Sequence, residues 1–434
     1  MSVEQEVVAL TKATTDLLEV VTEKRAALDS AVTEAKASED ASAASAVAAN
    51  SSKVAADASK AAAAGSAKAA DDAAKLASQI SGLSTVEQSL GVSPYIRDME
   101  RHAVERASGG KQTVIRDAAG NSNVMFVLPR FRYEDLSMDA VYGKGDVTAF
   151  DTGAGAIKDV IFIGAYQASG NGAVSQPRQL PRTGINHTQA RKACADKGAG
   201  WHLMTMHEWA AIALWCMANG YEPIGNTNWG RSHAKTWIVG DKGDGKAPSD
   251  TSGLGRTRTG SLGVDSSHDR TLGGIFDLVG NVWEWQDGLL MMDGQLKVSQ
   301  HNLQAEADWA LQEAYLDAST PTGGNVILSH QITNMVGAAG DNQNAGNSAS
   351  TDWRVMTKSP QYVTNQLLKR LLVEPAGAQP QLPQGRIYAR NFGERLPRRG
   401  GYWSSGADAG LAALYLNDSR AVTGTSIGFR PAFA

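Results

Sequence analysis

The 434-residue sequence predicts an α+β protein: an N-terminal helical coiled-coil shaft (1–92), a small β-rich connector (93–159) and a C-terminal head (160–434). Three observations lead there. The first 80 residues contain neither Trp nor Pro and follow a seven-residue apolar repeat. Thr113–Ile115 and Val124–Pro129 read as strands on either side of a turn. All ten tryptophans lie between Trp201 and Trp403, in a stretch rich in Gly, Asn and Ser.

In the shaft, Val7, Thr14, Val21 and Leu28 occupy one seam position and Leu10 and Leu17 the other, with Lys24 as the main break. The same register continues thinly through Ala35, Ser42, Ala49, Ala56, Ala63, Ala70 and Ala77, paired with Ala31, Ser38, Ser45, Ser52, Ser59, Ser66 and Ala73. Alanine fills 22 of the 50 positions from Ala31 to Ile80, which favours helix locally. Small seam residues bury little area per turn, so a lone helix of this kind lacks packing to hold it. A self-associating rod is the expected form; a frayed Ala/Ser/Lys/Asp tract is the competing one.

Gly82, Gly91 and Pro94 end the repeat, and an amphipathic stretch runs from Tyr95 to Arg106. Thr113–Ile115 and Val124–Pro129 read as strands joined at Ala119-Gly120-Asn121. Beyond the apolar run Val160–Gly164, helices are expected at His187–Lys197 and His207–Ala218, with short strands and long loops elsewhere. Such an architecture does its work on its surface.

Composition excludes several classes. The 41 basic and 45 acidic residues give a net charge of −4, and the first 80 residues alone, with 12 acids and 8 bases, supply it. No basic field marks a nucleic-acid binder. No apolar run approaches the ~18–20 residues of a membrane span, and Glu4 and Glu6 stand where a secretory signal places cations. Synthesis and retention in the cytoplasm, until something carries the protein elsewhere, is therefore expected. Two cysteines, Cys194 and Cys216, exclude a disulfide scaffold and read as buried thiols.

Catalytic motifs fail on inspection. His207-Glu208-Trp209-Ala210-Ala211 opens like a zinc-protease helix but has Ala211 where the second imidazole belongs, and His202 diverges from His207. Gly240–Ala247 has phosphate-loop spacing, yet Ala247 replaces the hydroxyl, Pro248 opposes the helix and Asp241 and Asp244 repel phosphate.

Three segments in order carry a family resemblance. They are Trp201–Trp209, the hexapeptide Gly280-Asn281-Val282-Trp283-Glu284-Trp285, and Arg399-Gly400-Gly401-Tyr402-Trp403 followed by Ile427-Gly428-Phe429-Arg430. Together they resemble the formylglycine-generating-enzyme domain, a variant of the C-type lectin fold, over roughly residues 160–434. Alternation in the hexapeptide sends Trp283 and Trp285 to one face, which serves a core as well as a site. The resemblance implies possible structural calcium, for which Asn281 and Glu284 are the conceivable ligands; one amide and one carboxylate fall short of the six to eight oxygens calcium takes. Family enzymes use two cysteines whose positions correspond here to Ser405 and Gly410. A hydroxyl and a glycine cannot replace thiolates on copper(I), so the chemistry is lost while the fold remains.

The stretch Gly400–Phe429 more closely resembles the C-terminal bracket of bacteriophage tail-fibre receptor-binding proteins. That resemblance implies a non-enzymatic homotrimer in the virion, with a shaft joining other tail or baseplate proteins and a head attaching to a host-cell surface receptor, either a protein such as a pilus or a glycan. Neither membrane insertion nor a nucleic-acid partner is expected. Within the bracket, Leu411, Leu414, Leu416 and Phe429 are framework residues. Tyr402, Ser404, Ser405, Asp408, Tyr415, Asn417, Asp418, Thr423 and Thr425 form the expected receptor-binding set, since Tyr gives contact area at low entropy cost and the others give adaptable hydrogen bonds. Two alternatives stand beside it, a formylglycine-generating-type oxidase and a calcium-dependent glycan-binding module.

Overall fold

The computed structural model describes residues 3–89, 98–153, 155–337, 347–376 and 383–434. Contacts divide the chain into two compact units, Met1–Tyr95 and Ile96–Ala434. The first unit is a single helix, α1 (Val3–Ser89), of 87 residues. The seam residues Val7, Leu10, Leu17, Val21 and Leu28 are 54–70% exposed on it, so nothing among the described residues covers this apolar stripe. Thr14, at a seam position, turns its hydroxyl back to the Leu10 carbonyl at 2.5 Å, which leaves its methyl available for packing. The helix bears out the helical expectation, whereas a coiled coil requires further copies. The expected end of the shaft at residue 92 lies outside the described residues.

The second unit opens with α2 (Met99–Ala107), capped by Asp98, whose carboxylate accepts the Arg101 N–H. Strands β1 (Gln112–Arg116), β2 (Ser122–Pro129) and β3 (Val160–Gly164) follow, with the one-turn helix α3 (Asp139–Tyr142) between the last two. A two-residue hairpin, β4 (Ala168–Ser169) and β5 (Val174–Ser175), leads to α4 (His187–Ala195), β6 (Trp201–Leu203) and α5 (Met206–Ala218). Next come β7 (Trp283–Trp285), β8 (Leu289–Met292), β9 (Gln295–Ser299), β10 (Trp309–Thr320), β11 (Gly323–Ser329), β12 (Ala349–Asp352) and β13 (Thr357–Lys358). The chain continues through α6 (Gln366–Arg370), β14 (Arg386–Ala389), β15 (Glu394–Arg395), β16 (Arg398–Gly400), β17 (Gly410–Leu416), β18 (Ile427–Phe429) and β19 (Pro431–Phe433).

Three larger sheets result. Their orders are β1-β2-β3-β19-β6, then β13-β11-β10-β9-β8-β15, and β12-β14-β17-β16-β7-β18. Strands of the expected β-rich connector (93–159) belong to the first of these sheets. β2 pairs with β3 from Met125↔Gly164 to Pro129↔Val160, so these strands extend the head's own first sheet. Burial follows the pairing: Phe126 and Leu128 join Ile161 and Ile163 in one buried cluster with residues of α5.

Helix α5 is buried at every position except Trp215 and its last residue, Ala218, and an apolar surface nearly all round suits a helix enclosed by sheets. Thr205 and Glu208 form a reciprocal capping box at its start, satisfying two N–H groups that burial would otherwise orphan. Trp209 anchors it to the third sheet by donating its indole N–H to the Leu411 carbonyl at 2.8 Å.

Candidate functional site

The third sheet assembles most of the expected surface residues. Register sets Tyr388 opposite Tyr415, Tyr415 opposite Arg398, Arg398 opposite Trp285, and Trp285 opposite Phe429, which places all five on one face. Ile387, Leu414, Arg399, Glu284 and Gly428 form the row on the other face, and all are buried. On the first face, Tyr402 stacks on Trp283 (6.5 Å between centroids, 24°), Trp283 meets Tyr415 at 5.4 Å, and Tyr415 meets Tyr388 at 5.3 Å. The tyrosines are half-buried, with edges open to solvent, while the indoles are buried.

Charge organises both ends of this aromatic row. The Arg398 guanidinium lies 4.3 Å from the Tyr415 ring centroid and 5.0 Å from that of Trp285, and it pairs with Asp418. Arg386 donates Nε–H to Asp408 Oδ1 at 2.8 Å, and the Tyr388 hydroxyl donates to Asp408 Oδ2 at 3.0 Å. Burial, then the charge on Asp408, pushes the Tyr388 hydroxyl well above the usual phenol range, so it stays a donor. Hydrogen bonding to Asp408 raises Arg386 in turn.

Tyr402, Ser405, Asp408 and Tyr415 thus lie half-exposed on or beside this face, with Ser404 exposed next to them. Ser405 Oγ accepts the Tyr402 N–H at 3.0 Å and shapes the turn that presents the ring. Thr423 and Thr425 are exposed on the loop whose Ser426 carbonyl accepts the Trp283 N–H at 2.9 Å. Asn417 and Asp418, of the same expected set, are each only 5% exposed. Asp418 points inward because the buried Arg398 needs a counter-charge. The row also includes Arg386 and Tyr388, which sequence reasoning missed. Their one signal was the alternation Arg386-Ile387-Tyr388-Ala389, polar and apolar in strand period.

The conceivable calcium ligands do not fit that ion. Both Glu284 oxygens face Arg430, at 2.9 and 2.7 Å, and Oε1 also accepts from Gln167 at 2.9 Å. A guanidinium therefore occupies the space a cation would need. Asn281, at φ +61° in the turn, accepts the Thr257 N–H at 2.8 Å and donates to Gln167 at 2.9 Å. Among the described residues no group of three or more His, Cys, Asp or Glu side chains is placed to hold a metal.

The other motifs resolve into scaffold. His207 Nδ1 lies 2.8 Å from Thr148 Oγ1 and its Nε2 3.1 Å from the Ser299 carbonyl, while His202 Nε2 meets Glu208 at 2.7 Å. In the phosphate-loop look-alike, Asp241 accepts the Gly243 N–H and Asp244 the Lys246 N–H, so acids occupy donors that phosphate would require. Gly410, at φ +154°, is closed to any side chain: a Cβ there would lie 2.1 Å from the Gln384 carbonyl oxygen and 2.7 Å from Glu222 Oε1. A cysteine cannot be restored at that position without moving backbone. Cys194 and Cys216 are buried and free, and burial pushes both thiols up, away from the reactive thiolate.

No family model and no curated protein matches the chain. Among solved structures it is similar to the Major Tropism Determinant I1 variant (12% identity, TM-score 0.29, 67% of this chain and 56% of that one). It is similar likewise to the U1 variant (11%, 0.29, 71% and 62%). The Treponema denticola variable protein 1 gives 14% identity and a TM-score of 0.29, over 74% of this chain and 98% of that one. The chain therefore spans little more than half the length of the first of these, and superpositions this loose leave the fold to rest on the strand pairings themselves.

Proposed function

We propose that this chain is a phage receptor-binding protein that attaches the virion to a host-cell surface through the aromatic face of its third sheet, without catalysing a reaction. One observation carries the reading: Tyr402, Tyr415 and Tyr388 line up half-exposed, backed by buried tryptophans and bounded by the Arg386–Asp408 pair. Rigid aromatic area with adjustable polar neighbours is the composition of a recognition surface. The exposed heptad stripe of α1 supports display of several heads on one shaft, taken here as three, whose weak contacts would add by avidity. The shaft is also the part proposed to meet other tail proteins.

The test is attachment of fluorescently labelled full-length protein to a panel of bacterial strains. On any strain that binds, changing Tyr388 and Tyr415 together to Ala should weaken attachment by at least ~100-fold, the usual weight of two central aromatic anchors, with the melting profile retained. Undiminished attachment by the double variant would move the contact surface elsewhere.

A further inference from the structure

The segment from Asn226 to Gly263, between α5 and β7, borders the aromatic row at Trp403. The Trp229 N–H donates to the Trp403 carbonyl at 2.7 Å, and the two rings meet at 6.1 Å between centroids. Trp403 in turn lies 5.5 Å from Tyr402. Gly255 packs so closely on the Trp403 indole that a Cβ there would lie 2.0 Å from Nε1. The buried Asn226 joins these two approaches: its Oδ1 accepts the Gly230 N–H at 2.8 Å and its Nδ2 donates to the Gly255 carbonyl at 2.9 Å. The residue after each glycine is an arginine, Arg231 and Arg256. One amide therefore brings two guanidinium-bearing residues to the border of the row.

Charge is uneven there. Six basic residues and three acids fall between positions 226 and 263, in a chain whose net charge is −4. The acids are engaged: Asp241 pairs with Arg258, Asp244 accepts the Lys246 and Leu254 N–H groups, and Asp250 accepts from Ser252. Arg231 and Arg256 are half-buried. Among the described residues neither forms an ion pair, and each has a buried Nε without a hydrogen-bond partner. Burial lowers Arg256 below the ordinary guanidinium range, with no opposite charge to offset it. A partly desolvated cation without a counter-charge is stabilised by an anion that reaches it. The adjoining cleft, of about 270 Å³ and lined in part by Thr227, His233, Lys235 and Gln384, is small and rich in hydrogen-bonding side chains. Such a cleft suits a sugar ring better than the large apolar anchor of a protein partner.

We propose that Arg231 and Arg256 form an anion-binding flank of the recognition face, and that its ligand is an acidic polysaccharide of the host surface. The two guanidiniums take its carboxylate or phosphate groups, both of which match their fork of donors, while its rings lie along Trp229 and Tyr402.

The inference rests on the proposed role of the face for its biological meaning, but its test reads anion binding directly. Full-length protein would be passed over surfaces bearing carboxymethyl dextran, dextran phosphate, uncharged dextran or poly-glutamate. Saturable binding to at least one charged dextran is expected, at least about tenfold tighter than to dextran or poly-glutamate, and weakening as salt screens the contact. The stronger of the two charged dextrans distinguishes phosphate from carboxylate. Arg231→Gln with Arg256→Gln should weaken binding by about 100-fold, and each change alone by about tenfold, with the melting profile retained. Lys12→Gln with Lys36→Gln, which removes as much charge from α1, should leave binding unchanged. No binding to either charged dextran, equal binding to uncharged dextran, or undiminished binding by the double variant overturns the inference. Equal binding to poly-glutamate overturns it in favour of an acidic protein. If anion binding behaves as stated while attachment ignores Tyr388 and Tyr415, the flank stands and the receptor reading of the row falls.

Discussion

Replacing Asp418 by Asn should destabilise the head severely, although the residue sits in a polar stretch that resembles a surface loop. Its side chain is 7% exposed and that of Arg398 4%, and the two form an ion pair beneath the aromatic row. Removing one member of a buried pair leaves the other charge desolvated and uncompensated, at a cost of about 3–5 kcal/mol. The guanidinium has consolation from the Tyr415 ring at 4.3 Å and the Trp285 ring at 5.0 Å, which favours the lower half of that range. For a unit of this size, with roughly 2 °C lost per kcal/mol, the melting midpoint should fall by about 6–8 °C. The companion double variant, Arg398→Met with Asp418→Leu, removes both charges and should recover most of the loss. Differential scanning fluorimetry at neutral pH decides the matter. An Asp418→Asn midpoint within ~1 °C of the parent, or a double variant as unstable as the single one, would refute the account of this pair. Loss of attachment in an Asp418 variant is consequently no evidence that Asp418 touches a receptor.

Four further outcomes are expected. Gly410→Ala should yield insoluble or strongly destabilised protein in an expression and melting comparison, because its Cβ would lie 2.1 Å from a backbone oxygen. Burial raises the Asp277 carboxyl to about 6, so its proton-linked stability is full below the ordinary Asp range and fades as pH climbs through 6; the stability difference between the parent and Asp277→Asn should shift by roughly 2 kcal/mol between pH 4 and pH 8 in urea titrations. EDTA should leave the melting midpoint unmoved, whereas Glu284→Ala should lower it by several degrees by stranding Arg430. Leu17→Asp with Val21→Asp should reduce sedimentation mass to that of one chain and diminish helical circular dichroism, and an unchanged mass would remove the stripe from the assembly surface.

Local pattern made much of this molecule legible. The heptad repeat gave the long helix because its information is periodic and contained in neighbouring residues. The α5 helix was readable from Trp209, Ile212, Ala213 and Cys216, and the Trp283–Trp285 alternation correctly put both indoles toward one face. What escaped depended on distant partners. Tyr388 joins the site only because β14 lies parallel to β17, across a crossover that no local pattern records. The burial of Asp418 was not legible because its partner lies 20 residues earlier, and a short polar run after an apolar strand looks like a loop whether or not a cation waits beneath it. Glu284 looked like a metal ligand for the same reason: the arginine that claims it is 146 positions away.

The placement of β19 bears on how the head is made. It fills the gap between β3 and β6, pairing Ala432 with Ile163 on one side and His202 on the other, and Arg430 reaches back across 266 positions to the Gly164 carbonyl. Until the ribosome has delivered those residues, two strands of the first sheet stand with open edges, and contacts of such long range are slow to form. Helix α1, whose hydrogen bonds are local, can form while the head is still waiting. Translation order thus lets the helix precede the completed head. A chain interrupted before residue 430 would leave those strand edges open and sticky.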